Sequence, residues 1–496
     1  MAVCAAVAYT TPHAQQDLNP NGSALPASVA QALARAQVPA SAATVAVQEI
    51  GARDYKVAHN LQTAVNPASL MKLVTTYAAL EMLTPAYQWK TGVYVQGTVN
   101  GNGVLEGDLL LKGSGDPKLV IENLWMLLRR VQAAGIREIR GDIVLDRSAF
   151  DIAELDTSRF DNDPTRPYNV GADALLLNYK SVSFSFIPNG NSIGVGAEPR
   201  LAGMQLPASV RTSNGNADCG DWKSKLAADF SDFLAPRFAG SFAPACGEKQ
   251  WHVAALSAQR YAQALLTQLW ADSGGKLSGQ VKEGRVGNGA RLLLEWTSPP
   301  LSEVIRDINK FSNNVMARQL FLTIASEVTQ QSATAAAAER AIKDWARDRG
   351  MAMPELLMEN GSGLSRVERI SGASLTRLLQ AAYASPAMPE LMSSLPITGQ
   401  DGTMRRRKGH VATGSAHIKT GSLRDVRGIA GYVLAANGKR YAVVAIINHP
   451  NAAATQDALD AVLAYAYNGA REASPADDCP GGGTGGTGAG RGGCRR

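Results

Sequence analysis

The hydropathy period of this chain changes twice, and that restricts the folds open to it more than any composition figure does. Pro67 suits a first helical turn; Leu70, Leu73, Val74, Tyr77, Leu80 and Leu83 follow at helical spacing, and Thr84-Pro85 stops the run. From Tyr94 to Leu111 the period becomes that of short alternating strands, with Asn100-Gly101 and Glu106-Gly107 read as turns, so a different domain begins there. Strands at 143–145 and 181–187, polar loops and some helix continue to about Leu292. From Pro299 the helical period returns, with helices expected over 301–312, 315–328, 335–347 and 372–384. The intervening stretch is too long to be one loop and has to fold on its own.

Strand patterns lie on both sides of these helical and intervening stretches. After a helix near 28–36, the apolar run 43–50 pairs with 56–59 across a turn at Gly51. Strands are expected at 417–420, 428–435 and 441–447, and Asn437-Gly438 between the last two is a strong hairpin signal that makes them antiparallel neighbours.

At 496 residues the chain has room for several domains of about 150 residues. No window approaches the roughly 18 consecutive apolar residues of a membrane-spanning helix, so no transmembrane segment is expected. The net charge of +6 is concentrated in Arg491, Arg495 and Arg496 and in the run Arg405, Arg406, Arg407 and Lys408. The body is nearly balanced, which argues against nucleic acid as a partner. The run at 405–408, with His410, reads either as a solvated face or as a device that steers an anionic polymer. Without Cys-x-x-Cys or His-x-x-x-His there is no structural zinc pattern, and no metal or cofactor is expected. Cys219 and Cys246 share a polar Gly-rich stretch, where pairing and non-pairing both stay open.

Residues 2–9 are small and apolar, and Thr-Thr-Pro-His-Ala-Gln follows, so 1–15 resembles the end of a secretory leader with its cleavage region, though the positive n-region is missing. The stretch 474–496 is too rich in Gly and too poor in apolar residues to offset its ordering entropy and reads as a disordered tail.

Ser69-Leu70-Met71-Lys72 places a hydroxyl and an amine three residues apart at a helix start, on one face. A serine is a weak nucleophile until a base takes its proton, and a lysine with a lowered pKa can do that. The spacing alone is weak, since Ser273-Gly274-Gly275-Lys276 repeats it, but two central glycines argue against a helix there. Ser312-Asn313-Asn314 and Lys419-Thr420-Gly421 follow in the chain order known for serine acyl-transfer enzymes. A second Lys-Thr-Gly, at Lys90-Thr91-Gly92, precedes the Ser-x-Asn triplet and is out of order.

With these motifs the chain resembles the D-alanyl-D-alanine carboxypeptidase/endopeptidase family, the low-molecular-mass class C penicillin-binding proteins. Gly107-Asp108, Lys112-Gly113-Ser114-Gly115-Asp116-Pro117, Ser298-Pro299-Pro300-Leu301, Glu359 to Ser365 and Gly399 to Thr403 add to the resemblance. It implies an α+β, multidomain protein: a penicillin-recognising, β-lactamase-like transpeptidase domain, with an antiparallel sheet flanked by helices, over 24–92 and 293–473. A large, mostly-β region is inserted at 93–292.

The resemblance further implies an exported, periplasmic hydrolase, free or loosely held at the membrane, that cuts peptidoglycan stem peptides through an acyl-enzyme and is acylated by β-lactams. Ser69 would be the nucleophile, Lys72 the base and Ser312 a proton relay. Asn314, Lys419 and Thr420 would bind substrate, and the Ser69 and Ser422 backbone N–H groups would form the oxyanion hole. Asp116, Asp401 and Ser362 read as structural. A β-lactamase or a non-catalytic cell-wall scaffold are the rival readings.

Overall fold

The computed structural model describes residues 24–213 and 219–472; the segments read as a leader remnant (1–15) and a Gly-rich tail (474–496) lie outside them. The two ends of the described chain meet in a five-stranded antiparallel sheet. Its order is Ala416–Leu423, Val426–Leu434, Arg440–Asn448, Ala43–Glu49, Tyr55–His59. Ala43 pairs with Ile447 and Glu49 with Tyr441, so strands from opposite ends of the sequence lie side by side. The expected hairpin closes with Leu434 opposite Arg440 and Gly438 at a φ of 81°, which glycine adopts without a Cβ penalty.

The strands read as continuous apolar runs because both faces are covered. Val45, Val443, Ile418 and Ile429 pack under the helices Ala27–Arg35 and Gln456–Tyr467. Ala46, Val444, Ile446 and Ala430 face a larger layer built from Met71–Leu83, Leu301–Lys310, Asn314–Thr329, Ala335–Asp348 and Gly372–Ala384. Met71–Leu83 is the central helix of that layer: each residue from Met71 to Leu80 is buried, the polar Lys72, Thr75 and Thr76 included.

A second core belongs to the intervening region. In a seven-stranded sheet Lys90–Val99 and Arg291–Thr297, its first and last strands in sequence, pair as antiparallel neighbours, a five-stranded sheet is centred on Val182–Asn189 and Ser192–Glu198, and the helices Ile121–Ala133 and Ala258–Asp272 pack with them. Cys219 and Cys246 form a disulfide. Asn100-Gly101 lies in the turn between Val99 and Val104, but Glu106-Gly107 does not turn the chain. It lies inside the strand Val104–Lys112, with Gly107 opposite Gly97. A Cβ on Gly107 would sit 2.0 Å from the Gln96 carbonyl oxygen, so this glycine reports close approach of two backbones.

The stretch from Phe150 to Asp173 does not stay with that second core. Phe150 bridges to Ala333, and the Arg318 guanidinium donates to the carbonyls of Tyr168 (3.1 Å) and Val170 (2.6 Å). The Gln319 amide donates to Gly115 and Asp173 carbonyls and accepts from the Asp173 N–H. The helix Asn314–Thr329 is thereby joined to the intervening region through Arg318 and Gln319.

Candidate active site

Ser69 sits in a 3-10 turn, Ala68–Leu70, that feeds directly into Met71–Leu83. Ala68 has a φ of 48°, which costs energy for a residue with a Cβ and holds only where the surroundings enforce it. Asn66 does much of the enforcing. Its Oδ1 accepts from the Ala68 N–H (2.9 Å), its Nδ2 donates to the Ser365 carbonyl (2.9 Å), and its backbone N–H donates to Asn448 Oδ1 on the sheet (3.0 Å).

Lys72, one turn on, is fully buried. Its Nζ lies 3.0 Å from Ser69 Oγ and 2.6 Å from Asn314 Oδ1, and it donates to the Ser362 carbonyl. Burial pushes the amine well below the ordinary lysine range; the charges of Lys419 and Arg318 push it further, and Glu368 opposes them. A neutral amine has two protons and one lone pair. With the two protons spent on the Asn314 and Ser362 oxygens, the lone pair is left for the serine hydroxyl.

Ser312 occupies the break between two helices. The first ends at Lys310 rather than 312, because Ser312 turns left-handed (φ 56°) before Asn313 caps the next, its side chain accepting from the Met316 N–H. Asn313 takes the cap, so the neighbouring Asn314 side chain is available to Lys72. Ser312 Oγ in turn accepts from Lys419 Nζ (2.9 Å), which also donates to the Thr420 carbonyl (2.8 Å). Burial lowers the Lys419 amine to about 7.

Lys419, Thr420, Gly421 and Ser422 lie on Ala416–Leu423, the edge strand of the sheet. Gly421 is required by proximity: a Cβ there would meet the Pro67 carbonyl oxygen at 2.8 Å and Leu70 Cγ at 3.2 Å, beside the Ser69 turn. Ser69, Ser312, Asn314, Thr420 and Ser422 line one cleft of about 1240 Å³, and Lys72 and Lys419 lie beneath it. All seven residues singled out from the sequence therefore belong to one site.

Several contributors carry no sequence signal of their own. The Ser362 carbonyl reaches Lys72 because Glu359–Gly361 is wrapped around Glu368, whose Oε1 accepts three backbone N–H groups at 2.9 to 3.0 Å. Gly363, with a φ of 80°, fits where a Cβ would lie 1.9 Å from the Ala68 carbonyl oxygen. Thr403 exchanges a 2.7 Å hydrogen bond with Thr420. The motifs Glu359–Ser365 and Gly399–Thr403 pointed to these loops, but not to which atoms act.

Asp401 accepts from Lys310 Nζ (2.6 Å) and from the Ile397 N–H (2.7 Å), a bracing role. Asp116 accepts from the Lys118 N–H and is pushed up to about 7 by burial. Ser362 uses its hydroxyl on Asn360 and contributes only its backbone to Lys72.

The chain is similar to several known proteins. The D-alanyl-D-alanine carboxypeptidase DacB of Haemophilus influenzae is 27% identical over 403 residues, covering 79% of this chain and 82% of that protein. A D-alanyl-D-alanine carboxypeptidase of Actinomadura sp. (strain R39) is 29% identical over 430 residues, covering 82% of this chain and 78% of that one. The crystal structure of penicillin binding protein 4 from Haemophilus influenzae shares the fold, with a TM-score of 0.70 at 24% identity over 85% of this chain and 93% of that chain. The same protein complexed with a β-lactam gives a TM-score of 0.65 at 25% identity over 82% and 89%. A family model described as D-Ala-D-Ala carboxypeptidase 3 (S13) matches residues 25–467, and the chain belongs to that family of serine peptidases.

Proposed function

We propose that Ser69 attacks the carbonyl of a terminal D-Ala-D-Ala bond, or of the equivalent bond in a cross-linked peptide, and that Lys72 takes its proton. The observation that carries this reading is the buried, neutral-leaning Lys72 amine 3.0 Å from Ser69 Oγ, with its other two contacts on oxygen acceptors. Ser312, between Lys419 and the cleft, returns a proton to the leaving amine. Lys419 and Thr420 hold the terminal carboxylate, and Asn314 positions Lys72 and the acyl-side amide. The Ser69 and Ser422 backbone N–H groups serve as the oxyanion hole, where one donor is typically worth about 3 kcal/mol. An extended peptide lying along the edge strand would gain main-chain hydrogen bonds as an added strand.

β-Lactams acylate the same serine, and the resulting ester turns over slowly. The carboxylates lining the cleft support this. Asp161 is engaged by the Tyr168 hydroxyl (2.6 Å) and Asn169 Nδ2 (2.8 Å), while Asp460 is engaged by Arg407 and Gln456, so both already serve to brace the cleft walls.

The catalytic unit comprises 24–92 and 293–473, with 93–292 inserted, and the substrate is a peptidoglycan stem peptide. The Cys219–Cys246 disulfide supports an oxidising, exported setting such as the periplasm. No helix among the described residues is long and apolar enough to cross a membrane. Intact-mass analysis after brief exposure to benzylpenicillin tests the reading: a stable adduct mapped to Ser69 and absent in Ser69→Ala is expected. Unmodified protein with the penicillin intact would sink it in favour of a scaffold, and unmodified protein with the penicillin hydrolysed would indicate a β-lactamase.

A further inference from the structure

The cleft has two chemically different flanks. One carries Phe160, Asp161 and Tyr168 from the intervening region; the other is basic, with Arg406, Lys408, Arg424 and Arg427. The basic flank adjoins the end of the site given above to the substrate's terminal carboxylate, because Thr403, at the start of its loop, is bonded to Thr420.

That loop is held rather than loose. Arg407 is paired with Asp460 on the C-terminal helix, and His410 Nε2 contacts the Asp460 carbonyl at 2.9 Å. The clamp uses up one cation of the run and leaves Arg406 and Lys408, on either side of it, exposed in the cleft wall. Neither they nor Arg424 take part in any ion pair among the described residues. Like charges gathered on one braced loop repel one another, a cost that an arriving anion reverses.

We infer that this flank is a subsite for a carboxylate-bearing leaving group larger than D-alanine: the second stem peptide of a peptide cross-link. The inference rests on the assignment of Ser69 given above. In the step concerned, the Ser69 Oγ–acyl bond forms and the acyl–nitrogen bond of the cross-link breaks. The leaving amine departs with a proton and remains part of the second peptide, whose carboxylates lie against Arg406 and Lys408. Water then cleaves the ester and regenerates the serine. A released D-alanine has a single carboxylate, which Thr420 and Lys419 take up, and brings no second one to these side chains, so the flank favours endopeptidase over carboxypeptidase cleavage.

The test uses the full chain with two substrates, a cross-linked stem-peptide dimer and a monomeric stem peptide ending in D-Ala-D-Ala. In the Arg406→Glu/Lys408→Glu variant, the ratio of kcat/KM for dimer cleavage to that for D-alanine release should fall about tenfold. Raising the ionic strength should lower the wild-type ratio and raise that of the charge-reversed variant, because salt screens attraction and repulsion alike. A ratio unchanged by both manipulations overturns the inference. Benzylpenicillin adduct formation checks that the variant is folded. If it is not, Arg406→Gln/Lys408→Gln replaces it, with a fall of about threefold expected and an unchanged ratio again overturning the inference. Failure of the underlying assignment looks different: the wild-type protein itself forms no adduct on Ser69.

Discussion

Two short signatures each occur twice in this chain, once in the cleft and once at the seven-stranded sheet of the second core, and the copies share residues but not surroundings. Ser69 and Lys72 begin a buried helix, whereas Ser273 ends one, donating its hydroxyl to the Trp270 carbonyl, and Lys276 is exposed on a two-residue strand. Lys419 is buried on an edge strand with its amine on Ser312, whereas Lys90 lies on the surface, paired with Glu295 at 3.1 Å. Reactivity here depends on burial and on which oxygens face the amine, and a tripeptide alone specifies neither.

The comparison is broken most directly by deleting hydroxyls. Ser69→Ala should abolish penicillin labelling and lower kcat/KM about 10⁴-fold or more, while Ser273→Ala should stay within about twofold of wild type in the same assay. Lys72→Ala should slow acylation about 10³-fold with Ser69 still present, and Lys276→Ala should not change it measurably; stopped-flow acylation kinetics would separate the two.

Glycines sharpen the contrast. Gly363 and Gly274 have nearly the same φ, 80° and 82°, but a Cβ at Gly363 collides with the Ala68 carbonyl, and at Gly274 it meets open space. Gly363→Ala should cost about 2–4 kcal/mol by denaturant unfolding and disturb acylation; Gly274→Ala should cost about 1 kcal/mol and leave acylation intact.

Lys419 supplies a pH test. It must be charged to hold a carboxylate and loses its proton at about 7 in the folded protein, against an ordinary value of 10.5. In the free enzyme kcat/KM should therefore fall above about pH 7, and Lys419→Arg should move that limb upward. Between those two values the unfolded chain holds more protons at this position than the folded one, so stability rises with pH across that window and the deficit is complete below 7. Lys419→Met should remove the deficit and stabilise the protein by about 1–3 kcal/mol at pH 6, seen as a shift in denaturation midpoint. The smallest effect is expected at the surface copy: Lys90→Ala should change stability by no more than about 0.5 kcal/mol.

Much of the site was legible because its side chains lie at fixed offsets on elements with clear periods: Ser69 and Lys72 one helical turn apart, Lys419 on a strand with a hairpin behind it. The Ser362 carbonyl was not legible, since any residue supplies a carbonyl, and its placement depends on Glu368 gathering three backbone N–H groups. The return of 150–173 onto Asn314–Thr329 was equally hidden, as it rests on backbone oxygens accepting from Arg318 and Gln319. Glu106-Gly107 misled because glycine marks both turns and close strand approach. The end of the helix before Ser312 was overrun because the left-handed residue there is a serine rather than a glycine.

The pairing of Ala43–Glu49 with Arg440–Asn448 sets a timetable for folding. The first strand emerges during synthesis hundreds of residues before its partner, so the sheet carrying Lys419 closes only after Arg440–Asn448 has been made. The intervening core has its strands nearer together in sequence and can assemble earlier, as a scaffold onto which the ends later condense. A chain cut before Arg440 would keep Ser69 and Lys72 yet lack the strand that joins Ala43–Glu49 to the rest of the sheet, so the wall against which they work depends on residues almost four hundred positions away.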